Sequence, residues 1–367
     1  MNTIRLVALW LAGLCAAAAQ DPPILVGAVV SQSGAHAGLA ADYAKGLQLW
    51  RDGVNAAGGL LGRRVELRLL DDGSSAARAA ELYARLIRDD KADLLVGPYG
   101  SAATLVAAGE TERARRVMVN GAGPAAAVHS RAPRYLFQTA LPYAAYGAGV
   151  LEIAAEAGYK RLFILARDEP QSREMAEATQ RAALGRFSVN SVEIYRAATL
   201  DFSTQVARAR AAQAEAWIAF GDVRDAAEMV KSFKRLDYAP ALFFARGASH
   251  PRFIALVGQD AEWSLGALEY RAPPGAPVRN LDEAQGYVAG AVLAAAVRNA
   301  GSLNQERLRA ALAELELTTM LGEYRVAPES GAQTGFRPTV VQIRGGRPKA
   351  GMPLLPYPQW EERSLIQ

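Results

Sequence analysis

Cysteine is almost absent: Cys15 is the single one in 367 residues, so no intramolecular disulfide can form and no cysteine cluster can hold a metal. Histidine is nearly as scarce. His36, His129 and His250 lie far apart in sequence, and a metal site is not expected from them. No block of like charge interrupts the chain, and the formal net charge is only +4. The clustered basic stripe that nucleic acid demands is therefore missing. Catalytic signatures are missing too. There is no Gly-x-Ser-x-Gly elbow, no His-Glu-x-x-His and no Ser-x-x-Lys. No Gly-x-Gly-x-x-Gly opens a helix after the first apolar run, and Gly97–Ser101 lacks the Gly-Lys-Ser/Thr ending of a phosphate loop. These absences leave an enzyme without a visible nucleophile and base, and no cofactor is expected.

What is present begins with "MNTIRLVALWLAGLCAAAAQ". Arg5 supplies a positive start, Leu6 to Leu14 an apolar core, and Ala17 and Ala19 the small residues of a cleavage point. Residues 1–20 read as a secretory signal, and the apolar run is too short for a spanning helix. A lipoprotein reading is disfavoured, because Leu14 rather than a small residue precedes Cys15. Removing Arg5, the sole charge of the leader, takes the net charge from +4 to +3 and leaves no cysteine.

Beyond the leader, short apolar runs alternate with amphipathic stretches. "ILVGAVV", "VELRLLDD", "ADLLVG" and "RVMVNG" read as strands, with helices over 42–56 and 76–89. After Pro142 the rhythm restarts: helix 144–157, "RLFILA", helix 173–185, "SVEIY", helix 203–212, "AWIAFG", helix 223–236 and "ALFFA". Strand–helix alternation predicts parallel sheets covered on both faces, and two series predict two such lobes. Helices 282–299 and 304–315 and a hairpin at Gly345-Gly346 then complete lobes begun earlier. The expected division is 24–141 plus 272–322 against 142–271 plus 323–367. The last residues, "MPLLPYPQWEERSLIQ", are expected to pack along the surface.

One turn stands out. "GPYGSAAT" follows a buried strand and opens a helix, placing Tyr99 and Ser101 where ligands collect on parallel sheets. Gly100 permits close backbone approach. Ser101 either caps the helix beginning near Ala102 or offers its hydroxyl, with the first-turn amides, to a carboxylate.

Five features in order resemble the periplasmic solute-binding proteins of branched-chain amino acid ABC transporters: "ILVGAVVSQSG", "GLQLWRDGVNAAGGLLGRRVELRLLDD", "LLVGPYGSAAT", "MVNGAG" and "YLFQTALPYAAYG". The resemblance implies an α/β fold of two doubly wound lobes joined by three crossings, closing on a ligand. It implies a monomer that delivers a small organic acid or amino acid to a permease and ATPase in the inner membrane. By the same resemblance Ser101 takes the ligand carboxylate, Ala122 and Gly123 serve through backbone groups, and Ser33, His36 and Tyr146 join the site. Pro124 stands where amino-acid binders have a threonine, and Arg246 and Gly247 stand where an acidic residue meets the ligand ammonium. Two expectations follow: Arg246 holds a carboxylate on an amine-free organic acid, and Asp222 is the fallback partner for an ammonium. A sensor subunit of the same fold is the alternative. A repressor is disfavoured, since no helix-turn-helix precedes Ile24.

Overall fold

The computed structural model describes residues 21–189, 191–361 and 363. The leader expected at 1–20 lies outside them. The first lobe is built on five parallel strands: β1 (Ile24–Val30), β2 (Val65–Asp71), β3 (Leu94–Val96), β4 (Met118–Asn120) and β5 (Leu136–Gln138), in the order β2-β1-β3-β4-β5. Its flanking helices are α1 (Ala37–Ala56), α2 (Ala76–Arg88) and α3 (Ser101–Ala114). β1 reads ILVGAVV because both of its faces are covered, as parallel strands require.

The second lobe repeats the plan. It contains α4 (Ala148–Glu156), β6 (Leu162–Arg167), α5 (Pro170–Ala183), β7 (Val192–Tyr195), α6 (Ser203–Ala211), β8 (Ala216–Phe220), α7 (Val223–Arg235), β9 (Leu242–Ala245), α8 (Pro251–Val257) and β10 (Leu265–Leu268). The chain then returns to the first lobe through α9 (Leu281–Ala300), α10 (Gln305–Glu314) and the hairpin β11 (Leu317–Thr319)–β12 (Gly322–Tyr324). It ends on the second sheet with β13 (Thr339–Ile343), antiparallel to β10, and β14 (Pro348–Lys349). That sheet runs β14-β13-β10-β9-β8-β6-β7. Two doubly wound α/β lobes and the Gly345-Gly346 hairpin are as the alternation predicts.

The third crossing falls later than the sequence suggests. Gly331 O accepts the Gln138 amide of β5, and Gln138 Oε1 accepts the Gln333 amide. Residues 323–336 therefore stay with the first lobe, and the chain joins the second sheet only at Thr339. The tail packs as expected: the Tyr357 amide bonds Ala241 O, and Trp360 Nε1 bonds Tyr238 O.

The return of α9 matters most for function. Tyr43, Leu47, Trp50 and Val54, spaced at helical intervals, form the buried stripe of α1 that receives α9. The two backbones touch. A Cβ at Gly46 would sit 1.9 Å from Glu283 O, and one at Gly286 would sit 2.1 Å from Tyr43 O, so only glycine fits at either position. Burying each of the large apolar side chains here contributes roughly 1.5–3 kcal/mol. This contact fixes the start of α9, with Asp282, beside the end of β3.

Candidate functional site

Between the lobes, beyond the carboxyl ends of both sheets, lies a cleft of about 830 Å³. That is within the range of small-molecule sites. The first lobe contributes Ser31, His36, Tyr99, Ser101 and Ala122, together with Asp282 from α9. The second contributes Glu174, Arg246 and Glu269, and the connecting segment contributes Tyr143 and Tyr146.

The turn after β3 is built as follows. Gly100 has φ +93, in the left-handed region that disfavours a side chain, and its amide bonds Ala122 O at 2.9 Å. It is Gly100 that occupies the cap of α3, with no side chain to fill the role, and Ser101 is the first helical residue. Ser101 is therefore not the cap. Its Oγ accepts the Ala125 amide at 3.1 Å, which leaves its own proton free to donate. The amides of Ser101, Ala102 and Ala103 have no intrahelical acceptor by position. Hydroxyl and amides together make an acceptor-seeking floor.

Tyr99 stands beside this floor, its ring 6.0 Å from Tyr43 and 6.2 Å from His36. Its hydroxyl donates to Asp282 Oδ1 at 2.9 Å. Burial raises the Asp282 carboxyl above the ordinary value of 3.8, the Tyr99 bond opposes this, and the nearby charges of Asp42 and Glu269 raise it further. Among the described residues no salt bridge is formed by Asp282.

Arg246 faces the cleft but is already engaged. Its Nε and Nη2 reach Glu269 Oε1 at 3.0 and 2.8 Å, and its guanidinium lies 5.4 Å from the Tyr146 ring centroid. Burial works against its charge, yet Glu269 and Tyr146 outweigh burial and raise its pKa. Glu269 holds the Nε edge of the guanidinium, so a grip of Arg246 on a solute carboxylate would fall to the Nη1 side. Gly247 also has a local explanation. A Cβ there would lie 2.6 Å from the Asp222 carbonyl carbon and the Val223 nitrogen, so the position cannot carry an acid.

Other expectations also need correction. Asp222 does not line the 830 Å³ cleft but lines an adjoining one of about 420 Å³ that shares Arg246, Glu269 and Leu281 with it. It caps α7 by accepting the Arg224 and Asp225 amides and pairs with Arg167. Ser33 is not on the cleft wall either. Its hydroxyl donates to Asp71 Oδ2 at 2.8 Å, while Ser31 and Ser74 face the opening. The amides of Ala122 and Gly123 are spent on Asn120 Oδ1 at 3.2 and 2.8 Å, so neither donates to a solute. Ala122 still lines the cleft, and Gly123 does not. The structure thus gathers His36, Tyr99, Ser101, Ala122, Tyr146 and Arg246.

Glu269, Asp282 and Glu174 were not foreseen. Asp282 reads in sequence as an ordinary acidic first-turn residue after Asn280, and Glu269 follows a strand whose residues gave no alternation. Counting acidic and basic side chains, the wall carries Asp72, Glu169, Glu174, Glu269 and Asp282 against one arginine. The cleft is acidic.

The comparisons agree with this architecture. The sequence profile of the periplasmic binding protein family matches residues 23–347, and the chain belongs to that family. An amino acid binding protein of Pseudomonas aeruginosa is 26% identical over 202 residues, an alignment spanning 52% of each chain, so about half the length of that relative is matched. A Rhodospirillum rubrum protein assigned to branched-chain amino acid ABC transport superposes with a TM-score of 0.81 at 20% identity, covering 90% of this chain and 100% of that one. An R. palustris solute-binding protein of an ABC transporter, solved with benzoate, gives 0.65 at 19% identity, with 92% and 98% covered. The two doubly wound α/β lobes read from the sequence are borne out. Among the described residues no helix is long and apolar enough to cross a membrane.

Proposed function

We propose that this chain is the periplasmic substrate-binding component of an ABC importer. Exported by its first 20 residues and working as a monomer, it captures a small carboxylate-bearing solute and passes it to a membrane permease and its ATPase. The observation that carries this reading is the floor of the cleft, where the Ser101 hydroxyl proton and the first-turn amides of α3 lack an acceptor. A solute carboxylate satisfies them together.

The other end of the solute is an amine. Arg246 is neutralised by Glu269, and Asp282 is left beside the floor with no cationic partner among the described residues. A half-buried carboxylate is costly without a counter-charge, and a solute ammonium supplies one. This favours an amino acid over the amine-free acid expected from Arg246 alone, and Tyr143 and Tyr146 form an aromatic wall for its side chain.

The test is a titration panel of amino acids, aromatic acids and 2-keto acids, read by calorimetry and by thermal shift. Saturable binding of at least one amino acid is expected. A panel in which nothing binds at millimolar concentration contradicts the reading. Mass spectrometry of periplasmic protein is expected to find an amino terminus between Ala18 and Asp21, and a retained leader contradicts export.

A further inference from the structure

The loop after β4 carries two consecutive amides that point to different lobes. Ala125 donates to Ser101 Oγ at 3.1 Å, on the floor of the first lobe. Ala126 donates to Glu174 Oε1 at 2.8 Å, and Glu174 belongs to α5 of the second lobe. The hydrogen bonds recorded for the other α5 side chains stay within their own lobe: Gln171 to Glu169, Arg173 to Asp168, and Thr179 to the Met175 carbonyl. Glu174 alone of these crosses the cleft, and it also lines the cleft wall.

We propose that Glu174 is a positioning residue that holds the second lobe closed over the solute, through a relay from Ser101 by way of Ala125 and Ala126. The relay follows from chain geometry. The two amide planes are joined only through the φ and ψ of Ala125 (−67 and 138), so anchoring the Ala125 amide on Ser101 leaves just these two torsions to aim the Ala126 amide. Restraining the donor lowers the entropy lost when Glu174 accepts it. The residue that meets the solute carboxylate thus also prepares the acceptor side of closure. Burial raises the Glu174 carboxyl above its ordinary value, while the Ala126 bond lowers it, as befits an acceptor held at a closing interface.

This rests on the reading of the cleft as a solute site that opens and closes, yet it is testable without any solute. Spin labels on Ala77→Cys in α2 and Ala207→Cys in α6, both exposed, with Cys15→Ser, report the distance between lobes by pulsed electron resonance. Glu174→Ala is expected to lower the closed-to-open ratio about tenfold, equivalent to about 1.4 kcal/mol. Glu174→Gln retains a carbonyl acceptor and is expected to keep the native distribution. Ser101→Ala is expected to loosen closure partially and to add nothing on top of Glu174→Ala. An unchanged distribution in Glu174→Ala overturns the proposal, as does equal loss in Glu174→Gln or full additivity of Ser101→Ala. Unaltered circular dichroism in each variant separates opening from unfolding. Failure of the solute panel with success here would leave the closure contact standing on its own.

Discussion

The two walls of the cleft are made from equivalent parts of the fold and differ in what they leave unsatisfied. Both use the carboxyl ends of parallel strands. On the first lobe, the Ser101 proton, the first-turn amides of α3 and the Asp282 carboxylate have unmet needs. On the second, Arg246, Glu269 and Tyr146 satisfy one another, and Asp222 is consumed by its own helix and by Arg167. Groups with unmet needs recognise a ligand, and groups already paired shape a surface. On the proposed function, the first lobe reads the solute and the second covers it.

The comparison is broken most severely at Gly247. Gly247→Asp introduces the acid that the family resemblance implies at this place, but its Cβ would meet backbone of Asp222 and Val223 at 2.6 Å. Overpacking of this kind costs about 3 kcal/mol, so the denaturation midpoint is expected to fall sharply, with no gain in amine binding. A variant of native stability that binds amines more tightly would place recognition on the second lobe.

Ser101→Ala comes next. Loss of a hydrogen bond to a charged group is worth about 1.5–3 kcal/mol, so affinity is expected to fall by ten- to a hundredfold in calorimetry. The melting temperature is expected to change little, because Gly100 and not Ser101 occupies the cap. Equal affinity with lowered stability would contradict the assignment.

Arg246→Met removes the partner of Glu269 from a half-buried pair. Stability is expected to fall by about 1 kcal/mol by urea titration, while preference for an amine is retained, since Glu269 then adds its own charge. Loss of the preference would show that Arg246 contacts the solute after all.

The smallest effect concerns pH. Burial holds the Asp282 carboxyl above 3.8, so it takes up its proton at a higher pH than an exposed aspartate. Affinity for an amine is expected to be full above that raised value and to decline as pH falls through it. The sign for stability is opposite: the contribution of a raised carboxyl is present below its unfolded value and lost as pH rises through the folded one. Ligand-free Asp282→Asn is therefore expected to be slightly more stable than the native protein at neutral pH. Its amine affinity is expected to be flat across the same window, and a decline matching the native one would assign the titration elsewhere.

How much of this was legible depends on whether a contact is local. The helix over 76–88 and the one over 203–211 follow directly from their apolar spacing, and the Tyr99–Ser101 turn from its glycines. The position of Asp282 was not legible. It depends on α9 returning across roughly 240 residues to lie on α1, through glycines at 46 and 286 that look in sequence like poor helix formers. Arg246 was legible as a cation in the cleft but not as a neutralised one, because Glu269 directly follows β10, whose four residues carry no alternating pattern. The placement of residues 323–336 was not legible because their tie to β5 is one backbone bond and one Gln138 side-chain bond across some 195 residues, which no local pattern reports.

The most direct measurement of the central claim is a matched pair of solutes that differ only in the amine: L-phenylalanine against phenylpyruvate, and L-leucine against its 2-keto acid. Each is titrated into the native protein and into Asp282→Asn. If the first lobe reads the solute, the amino acid of the better-bound pair binds at least about tenfold more tightly to the native protein, a difference of about 1.4 kcal/mol. Asp282→Asn then abolishes that difference and leaves the keto acid affinity nearly unchanged. Tighter binding of the keto acid, or a preference for the amine that survives Asp282→Asn, would contradict the account.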